Sequence, residues 1–304
     1  MPDSRPAPRA EDGAERAAHA ACARLARSHY ENFPVRGPLL RWAERRDLAA
    51  VYAFCRTTDD LGDEAEGDRA LLLAQWGRQL EEALAGRPDA GQPVLVALAR
   101  TARERGLEAD LFFRIVEANR RDQEVSWYSD REALIEYCRH SATPVGRMVL
   151  GVAGARGADL AAFSDATCIG LQLVNFWQDL AGDHRRGRCY LPLEDCRRYG
   201  VDPEVELARP TASAALRSLV ADEVSWAREH LARGWPLAER LPVRWRPLVR
   251  AFTRGGWAIC DAIAALDHDT LSRRPSLSAR ARQRLLLSEY ARAWRTVVPV
   301  PTVP

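Results

Sequence analysis

Lysine is absent from this chain of 304 residues, so all 44 of its basic residues are arginines. The 42 acidic residues almost balance them, and the formal net charge of +2 argues against a general affinity for nucleic acid or for an acidic membrane surface. Any site that binds an anion must therefore rely on arginine, whose planar guanidinium holds phosphate through paired hydrogen bonds.

Other features are missing as well, and each absence excludes a class of protein. The seven cysteines are odd in number, widely spaced and nowhere arranged as C-x-x-C, which argues against a disulfide framework and a structural zinc site. Residues 1–18 contain no apolar stretch of the kind found in secretory signals, and no window approaches the roughly 18 apolar residues that span a bilayer. We therefore expect a soluble, cytoplasmic protein that makes at most peripheral contact with a membrane.

Helical periodicity is the main pattern that the sequence does contain. Ala, Leu, Arg and Glu dominate residues 15–293, and apolar residues recur at steps of three and four. Glycine and proline divide this region into about ten predicted helices: 15–29, 39–62, 67–85, 92–104, 108–122, 130–153, 157–182, 211–235, 243–271 and 277–293. Residues 1–14 are predicted to be disordered, and the proline-rich tail 294–304 is not expected to be helical. The pattern predicts one all-α domain.

The predicted helix 39–62 ends in a group of carboxylates. The stretch VYAFCRTTDDLGDE, residues 51–64, begins as an apolar helix and closes with Asp59, Asp60, Asp63 and Glu64. Asp59 and Asp63 are four residues apart, and this spacing puts both carboxylates on one helix face, about one turn from each other. Because like charges at this spacing repel, the pair requires a cationic partner.

A second pair with the same spacing lies in QLVNFWQDLAGDHRRGRCYLP, residues 172–192. Gln172 and Asn175 precede Asp179 and Asp183 on the same face of an otherwise apolar helix, which is typical of a functional stripe. Oxygen ligands on rigid helices suit Mg²⁺, which proteins often share with substrate phosphates. If the two helices face each other, their four carboxylates could hold Mg²⁺ around a diphosphate.

The simpler interpretation of a single D-x-x-x-D element is a solvated surface. Arg56, Arg185, Arg186 and Arg188 lie near the acids and could neutralise them in weak surface ion pairs. Two such elements within aromatic and apolar sequence favour a functional site, in which these arginines would hold phosphate oxygens.

Taken together, these residues resemble the head-to-head squalene/phytoene synthases, a family of all-helical isoprenoid enzymes. The resemblance covers about residues 20–290 and rests on YAFCRTTDDLGDE, on NFWQDLAGD followed by GRCYLP, and on the upstream SHYENFPV. It implies a single-domain helical bundle of the isoprenoid-synthase type, with a central apolar cavity that holds prenyl chains.

The resemblance also implies roles for individual residues. Mg²⁺ and the diphosphate would be bound by Asp59, Asp63, Asp179 and Asp183. The catalytic residues would be Tyr52, Arg56, Asn175 and Tyr190. Substrate contacts would come from His29, Phe33, Arg56, Gln172, Gln178, Arg188 and Trp257. Aromatic rings favour a nearby cation, and the candidates for the cavity wall are Trp127, Phe163, Phe176, Trp177 and Trp257.

Within the family, HYENFPV, CRHSATPVGR, YLPLEDCRRYG and FTRGGWAICDAI look most like the bacterial hydroxysqualene synthases of hopanoid biosynthesis. Such an enzyme would ionise presqualene diphosphate with Mg²⁺ and quench the rearranged cation with water, without NADPH. Its functional partners would be a presqualene diphosphate synthase and a hydroxysqualene-reducing enzyme, and it would not bind nucleic acid. Gln178 stands where condensing members commonly carry arginine, and Trp257 where many carry tyrosine. The replacement of that arginine by Gln178 favours a substrate with a single diphosphate.

Two alternatives stay open at this point. A condensing synthase of the same family would join two prenyl diphosphates into presqualene diphosphate, squalene or phytoene, and its products would distinguish it. A non-catalytic helical interaction protein would pair its acidic stripes with arginine and would show no Mg²⁺-dependent binding of diphosphate.

Overall fold

The computed structural model describes residues 13–28 and 37–297, and within these ranges the chain is helical and contains no strand. The helices are α1 (Gly13–Ser28), α2 (Trp42–Asp63), α3 (Arg69–Leu84), α4 (Pro93–Arg105), α5 (Ala109–Arg121), α6 (Arg131–Ser141), α7 (Thr143–Ala153), α8 (Ala158–Arg185), α9 (Leu193–Tyr199), α10 (Pro203–Leu207), α11 (Ala214–Gly234), α12 (Leu237–Arg240), α13 (Arg246–Ala264) and α14 (Ala279–Val297). A 3-10 turn, Val243–Trp245, precedes α13. The predicted all-α class is confirmed.

Helix ends follow local chemistry. The carboxylate of Asp68 accepts a hydrogen bond from the backbone N–H of Leu71, and Asp130 caps α6 in the same way. These bonds satisfy donors that have no partner inside the first turn. At the other ends, Gly106, Gly154 and Gly200 adopt the left-handed conformation that closes α4, α7 and α9.

Two predicted helices were wrong in extent. The stretch 130–153 forms two helices that meet at Ala142, because Pro144 lacks an N–H and is tolerated only in the first turn of α7. The stretch 243–271 contains the 3-10 turn and α13, which ends at Ala264; beyond it, Asp267 and His268 adopt φ of 50° and 58°, a left-handed conformation in which an α-helix does not continue.

The predicted number of helices was also too low. Helices α9, α10 and α12 contain between four and seven residues, which is too short for an apolar period to show in the sequence. At the C-terminus, α14 continues to Val297, into the segment that was expected to be non-helical.

Two buried clusters hold the bundle together. The first joins α1, α2, α4, α5 and α7, and it includes Phe54 and Phe112 with ring centroids 5.6 Å apart. The second is built on α6, α8, α11 and α13 around the fully buried Trp177. Helix α8 packs against α6, α7, α11 and α13, and is therefore the central helix of the fold. None of the helices described has an apolar stretch that would carry it across a bilayer.

Candidate active site

A cavity of about 1100 Å³ lies within the bundle and is bounded mainly by α2, α5, α6, α7, α8, α13 and α14. Its acidic residues come from the C-terminal halves of α2 and α8 and from the segment that follows α5, and its arginines come from the segments that follow α8 and α13 and from α14. Much of its apolar lining comes from α7, α13 and α14, with residues such as Val149, Leu150, Phe252 and Leu286. The predicted apolar cavity is therefore present, with a strongly polar region at the ends of α2 and α8.

The first carboxylate pair lies at the end of α2, and both Asp59 and Asp63 line the cavity. Asn119 of α5 donates a hydrogen bond from Nδ2 to Asp59 Oδ1 at 3.2 Å. Arg188 donates from Nη1 to Asp63 Oδ1 at 2.7 Å. Glycine at position 62 allows α5 to approach this closely, because a Cβ there would lie 2.5 Å from Asn119 Oδ1.

The second pair lies near the end of α8, where Asp179 and Asp183 line the same cavity. Gln172 and Asn175 line it too, so the whole stripe that the helical period predicted faces one space. Arg274, in the loop between α13 and α14, donates from Nη2 to Asp179 Oδ2 at 2.9 Å, and its Nε donates to Oδ1.

The two pairs share one electrostatic environment. Burial raises the pKa of Asp59 to about 7; the hydrogen bond from Asn119 opposes this rise and the charge of Asp63 adds to it. Burial likewise raises the pKa of Asp183 to about 7, and the charges of Asp179 and then Asp63 add to the rise. Loss of water disfavours the charged carboxylates, and a divalent cation would favour them again. This set of oxygen donors therefore fits Mg²⁺.

Asp122, which follows α5, lies in a network of hydroxyl groups on the cavity wall. Its carboxylate accepts hydrogen bonds from Tyr137 at 2.6 Å and from Tyr190 at 3.2 Å. Arg188 donates from Nε to the Asp122 carbonyl at 3.3 Å, in addition to its bond with Asp63. Burial raises the pKa of Asp122 to about 6, and the Arg188 guanidinium and the two hydroxyls oppose that rise.

An aromatic wall adjoins this network. The rings of Phe176 and Tyr190 stack with centroids 3.9 Å apart and planes 13° apart, and both residues line the cavity. Phe176 is thus the member of the predicted aromatic set that faces the cavity. The others are not among the described lining residues: Trp127, Phe163, Trp177 and Trp257.

Several predicted substrate residues lie at or beside the cavity. Gln178 lines it and donates from Nε2 to the carbonyl of Pro275 at 2.6 Å. Arg56 pairs with Asp60 at 2.5 Å and with Glu64 at 2.8 Å, and it does not itself line the cavity.

Tyr52 and Trp257 also lie outside the described lining residues. The pKa of Tyr52 is raised by burial, and the charge of the nearby Arg56 opposes that rise. Trp257 packs on Trp235, with centroids 5.1 Å apart. The predicted substrate residues His29 and Phe33 lie outside the residues that the structure describes.

Four residues with polar contacts in the site were not singled out from the sequence: Asn119, Asp122, Tyr137 and Arg274. Each comes from a segment without a D-x-x-x-D pattern, and each contacts a residue at least 15 positions away. In the sequence itself, the features that could have pointed to these residues were the acidic residue that follows α5, which is Asp122, and the paired arginines of SRRPS, which include Arg274.

A third acidic cluster lies away from the cavity, where ligand atoms of Asp195, Asp222 and Glu223 are within 4.8 Å of one another. This spacing could hold a metal ion. Arg131 already donates to all three at 2.8, 2.7 and 3.2 Å, and Arg198 pairs with the two aspartates at 2.7 and 2.5 Å. The cluster is therefore best described as a partly buried ion-pair network.

Comparisons with known proteins identify related chains. Residues 26–281 match the model of the squalene/phytoene synthase family. The hydroxysqualene synthase of Rhodopseudomonas palustris is 36% identical over 214 residues, which cover 69% of this chain and 71% of the relative. Phytoene synthase 3 of Zea mays is 30% identical over 297 residues, covering 95% of this chain and 68% of the relative.

Solved structures show the same likeness. The crystal structure of squalene synthase HpnC from Alicyclobacillus acidocaldarius is 38% identical and superposes with a TM-score of 0.78, covering 84% of this chain and 95% of that one. The family match spans well over half of the chain, and both carboxylate pairs lie inside it. This chain belongs to the squalene/phytoene synthase family.

Proposed function

We propose that this protein is a hydroxysqualene synthase, which ionises presqualene diphosphate and quenches the rearranged cation with water to give hydroxysqualene and diphosphate. Members of the family are enzymes that act on prenyl diphosphates. The observation that carries the proposal is that two carboxylate pairs, Asp59/Asp63 and Asp179/Asp183, meet on one largely apolar cavity.

The four aspartates would hold Mg²⁺, which when bound would neutralise the charge that develops on the diphosphate as its bond to carbon breaks. Arg188 and Arg274 are each paired with one of these aspartates, so both guanidiniums lie where diphosphate oxygens would be bound. The reaction transfers no hydride, so it would need no NADPH.

The remaining chemistry falls to the cavity wall. The stacked rings of Phe176 and Tyr190 offer a π-face to the cation, and the apolar side chains of α7 and α13 do not attack it. The attacking water must lose a proton. Asp122 is the fifth acidic residue among the described lining residues, and Tyr137 orients its carboxylate, so Asp122 is our candidate for the group that accepts this proton.

A condensing synthase is the second candidate, because a phytoene synthase matches almost the whole chain. Gln178 favours the first candidate. It lies next to Asp179, its amide is bonded to the Pro275 carbonyl, and it brings no positive charge to the position where condensing relatives are expected to carry arginine. The site would therefore have one positively charged side chain fewer with which to bind a second diphosphate.

A product assay tests the proposal. The purified protein is incubated with Mg²⁺ and either presqualene diphosphate or farnesyl diphosphate, with and without NADPH, and the lipids are identified by mass spectrometry. Hydroxysqualene from presqualene diphosphate alone is the expected result. Presqualene diphosphate, squalene or phytoene from a prenyl diphosphate would instead establish the condensing activity.

The role of Gln178 is tested by Gln178→Arg, with Gln178→Met as the control that removes the same hydrogen bond without adding charge. We expect only the arginine variant to bind a second prenyl diphosphate. Unchanged substrate choice in Gln178→Arg would remove this support for the single-diphosphate reaction.

The metal assignment is tested by Asp59→Asn and Asp179→Asn, with Asp159→Asn in the exposed first turn of α8 as the matched control. The first two should lower kcat/KM at least ~100-fold, the scale of lost transition-state electrostatics, while the control keeps wild-type activity. Wild-type protein that binds no diphosphate in the presence of Mg²⁺ would instead support the non-catalytic alternative.

A further inference from the structure

Helix α14 covers the cavity with one face and exposes arginine on another. The residues that line the cavity from this helix are Ala279, Arg282, Gln283, Leu285 and Leu286. Arg280, Arg284 and Leu287 follow one another at steps of four and three, so they form a stripe on a different face. All three are exposed, and Leu287 is 61% accessible.

Within the part of the chain that the structure describes, no acidic side chain pairs with this stripe. Helix α14 contains five arginines and one acidic residue, Glu289. Glu289 is buried and is already paired with Arg254 and Arg292. Arg280 and Arg284 form no ion pair with any residue in the described ranges 13–28 and 37–297. A chain that is nearly neutral overall therefore carries a local cationic surface.

Exposed apolar side chains accompany this charge. Leu287 is on α14 itself, and Val243 (38% accessible) is on the 3-10 turn that packs against α14. Trp42 (64% accessible) begins α2, and Glu44 of that helix pairs with Arg244 of the same turn at 2.6 Å. Of the seven large apolar residues that are exposed in the described chain, three therefore lie on α14, the 3-10 turn and the start of α2, and the turn contacts both helices.

We propose that α14, the 3-10 turn and the start of α2 form a surface that docks on an anionic lipid bilayer. Arginine on a helix face beside exposed leucine and tryptophan is the composition of a helix that lies in the membrane interface. The same helix walls the apolar cavity, so docking would place that cavity next to the phase in which long prenyl chains dissolve. This last step rests on the proposed function, whereas the docking itself does not.

Sedimentation with lipid vesicles tests the surface without any substrate. Wild-type protein should bind vesicles of 30% phosphatidylglycerol and 70% phosphatidylcholine, and bind pure phosphatidylcholine much less. Binding should weaken as salt rises, because screening shortens the reach of exposed charges. Each arginine near an anionic surface adds about fivefold in affinity, so Arg280→Gln/Arg284→Gln should bind about 25-fold more weakly.

The matched control is Arg78→Gln/Arg197→Gln, which removes two exposed arginines from α3 and α9. It changes the net charge by the same amount and should bind the vesicles like the wild type. An equal loss of vesicle affinity in both double variants would mean that only the net charge matters. No loss of affinity in either variant would mean that the protein contacts the bilayer through another surface. Either result would overturn the proposal. Binding to a polynucleotide but not to vesicles would also overturn the proposal.

Activity in detergent micelles separates this inference from the proposed function. Neither Arg280 nor Arg284 lines the cavity, so the α14 double variant should turn over presqualene diphosphate in micelles at the wild-type rate. Failure of the wild type to do so would refute the proposed reaction and leave the vesicle result intact. Slower turnover by the double variant in micelles would mean that these arginines act on the active site, which would contradict their assignment to a membrane contact.

Discussion

Glu223→Gln should stabilise this protein at neutral pH, although Glu223 lies within an ion-pair network. Glu223 is completely buried on α11, and Arg131 donates to its Oε1 at 3.2 Å. Its Oε2 accepts no hydrogen bond from the part of the chain that the structure describes. Burial raises the pKa of Glu223 to about 8; the charge of Arg131 opposes that rise, and contact with the Asp195 carboxylate adds to it.

The size of the effect follows from proton linkage. The folded protein holds the Glu223 proton up to about pH 8, whereas the unfolded chain releases it near its ordinary value of 4.5. Its stability contribution is therefore fully present below pH 4.5 and declines as the pH rises toward 8. Each unit of pKa difference corresponds to about 1.4 kcal/mol, so at pH 7 the wild type is less stable than a neutral isostere by about 3 kcal/mol.

Urea denaturation of wild type and Glu223→Gln between pH 4.5 and 8 measures this difference. The two proteins should have similar free energies of unfolding at pH 4.5, and the variant should gain steadily toward pH 8. Glu229→Gln, an exposed change on the same helix, is the control and should show no such trend. A variant less stable than wild type at pH 8 would refute the reasoning. A stabilisation of wild type by Mg²⁺ that Glu223→Gln abolishes would show that the cluster binds metal.

Two further predictions concern the site. Tyr137→Phe removes a hydroxyl that favours the charged form of Asp122, so the pKa of that carboxyl should rise above about 6. The acidic limb of the pH–rate profile should then move to higher pH. An unshifted limb would show that the ionisation of Asp122 does not control the rate. Gly62→Ala forces a Cβ against Asn119 and should lower the free energy of unfolding by about 1–3 kcal/mol in urea titrations. Gly77→Ala, whose Cβ would meet its nearest neighbour at 3.8 Å, should be neutral or stabilising, and equal losses in both would remove the packing argument.

Local pattern was sufficient for the helices and for the carboxylate stripes. An α-helix repeats every 3.6 residues, so Asp59 and Asp63 had to share a face, and so did the stripe on α8 that ends in Asp183. The same reasoning failed where the signal is short or ambiguous. Helices of one or two turns carry too few apolar positions to show a period, and Pro144 is compatible with either a kink or a new helix.

What the sequence determined by itself was therefore the all-α class, the two acidic faces and the motifs that resemble one family. Tertiary structure alone decided which groups meet those faces. Arg188 reaches Asp63 across 125 residues and Arg274 reaches Asp179 across 95, while Tyr137 turns its hydroxyl to Asp122. The physical reason is that periodicity describes one helix at a time. Contacts between distant segments depend on how helices pack, and packing is decided by the buried side chains of the whole bundle together.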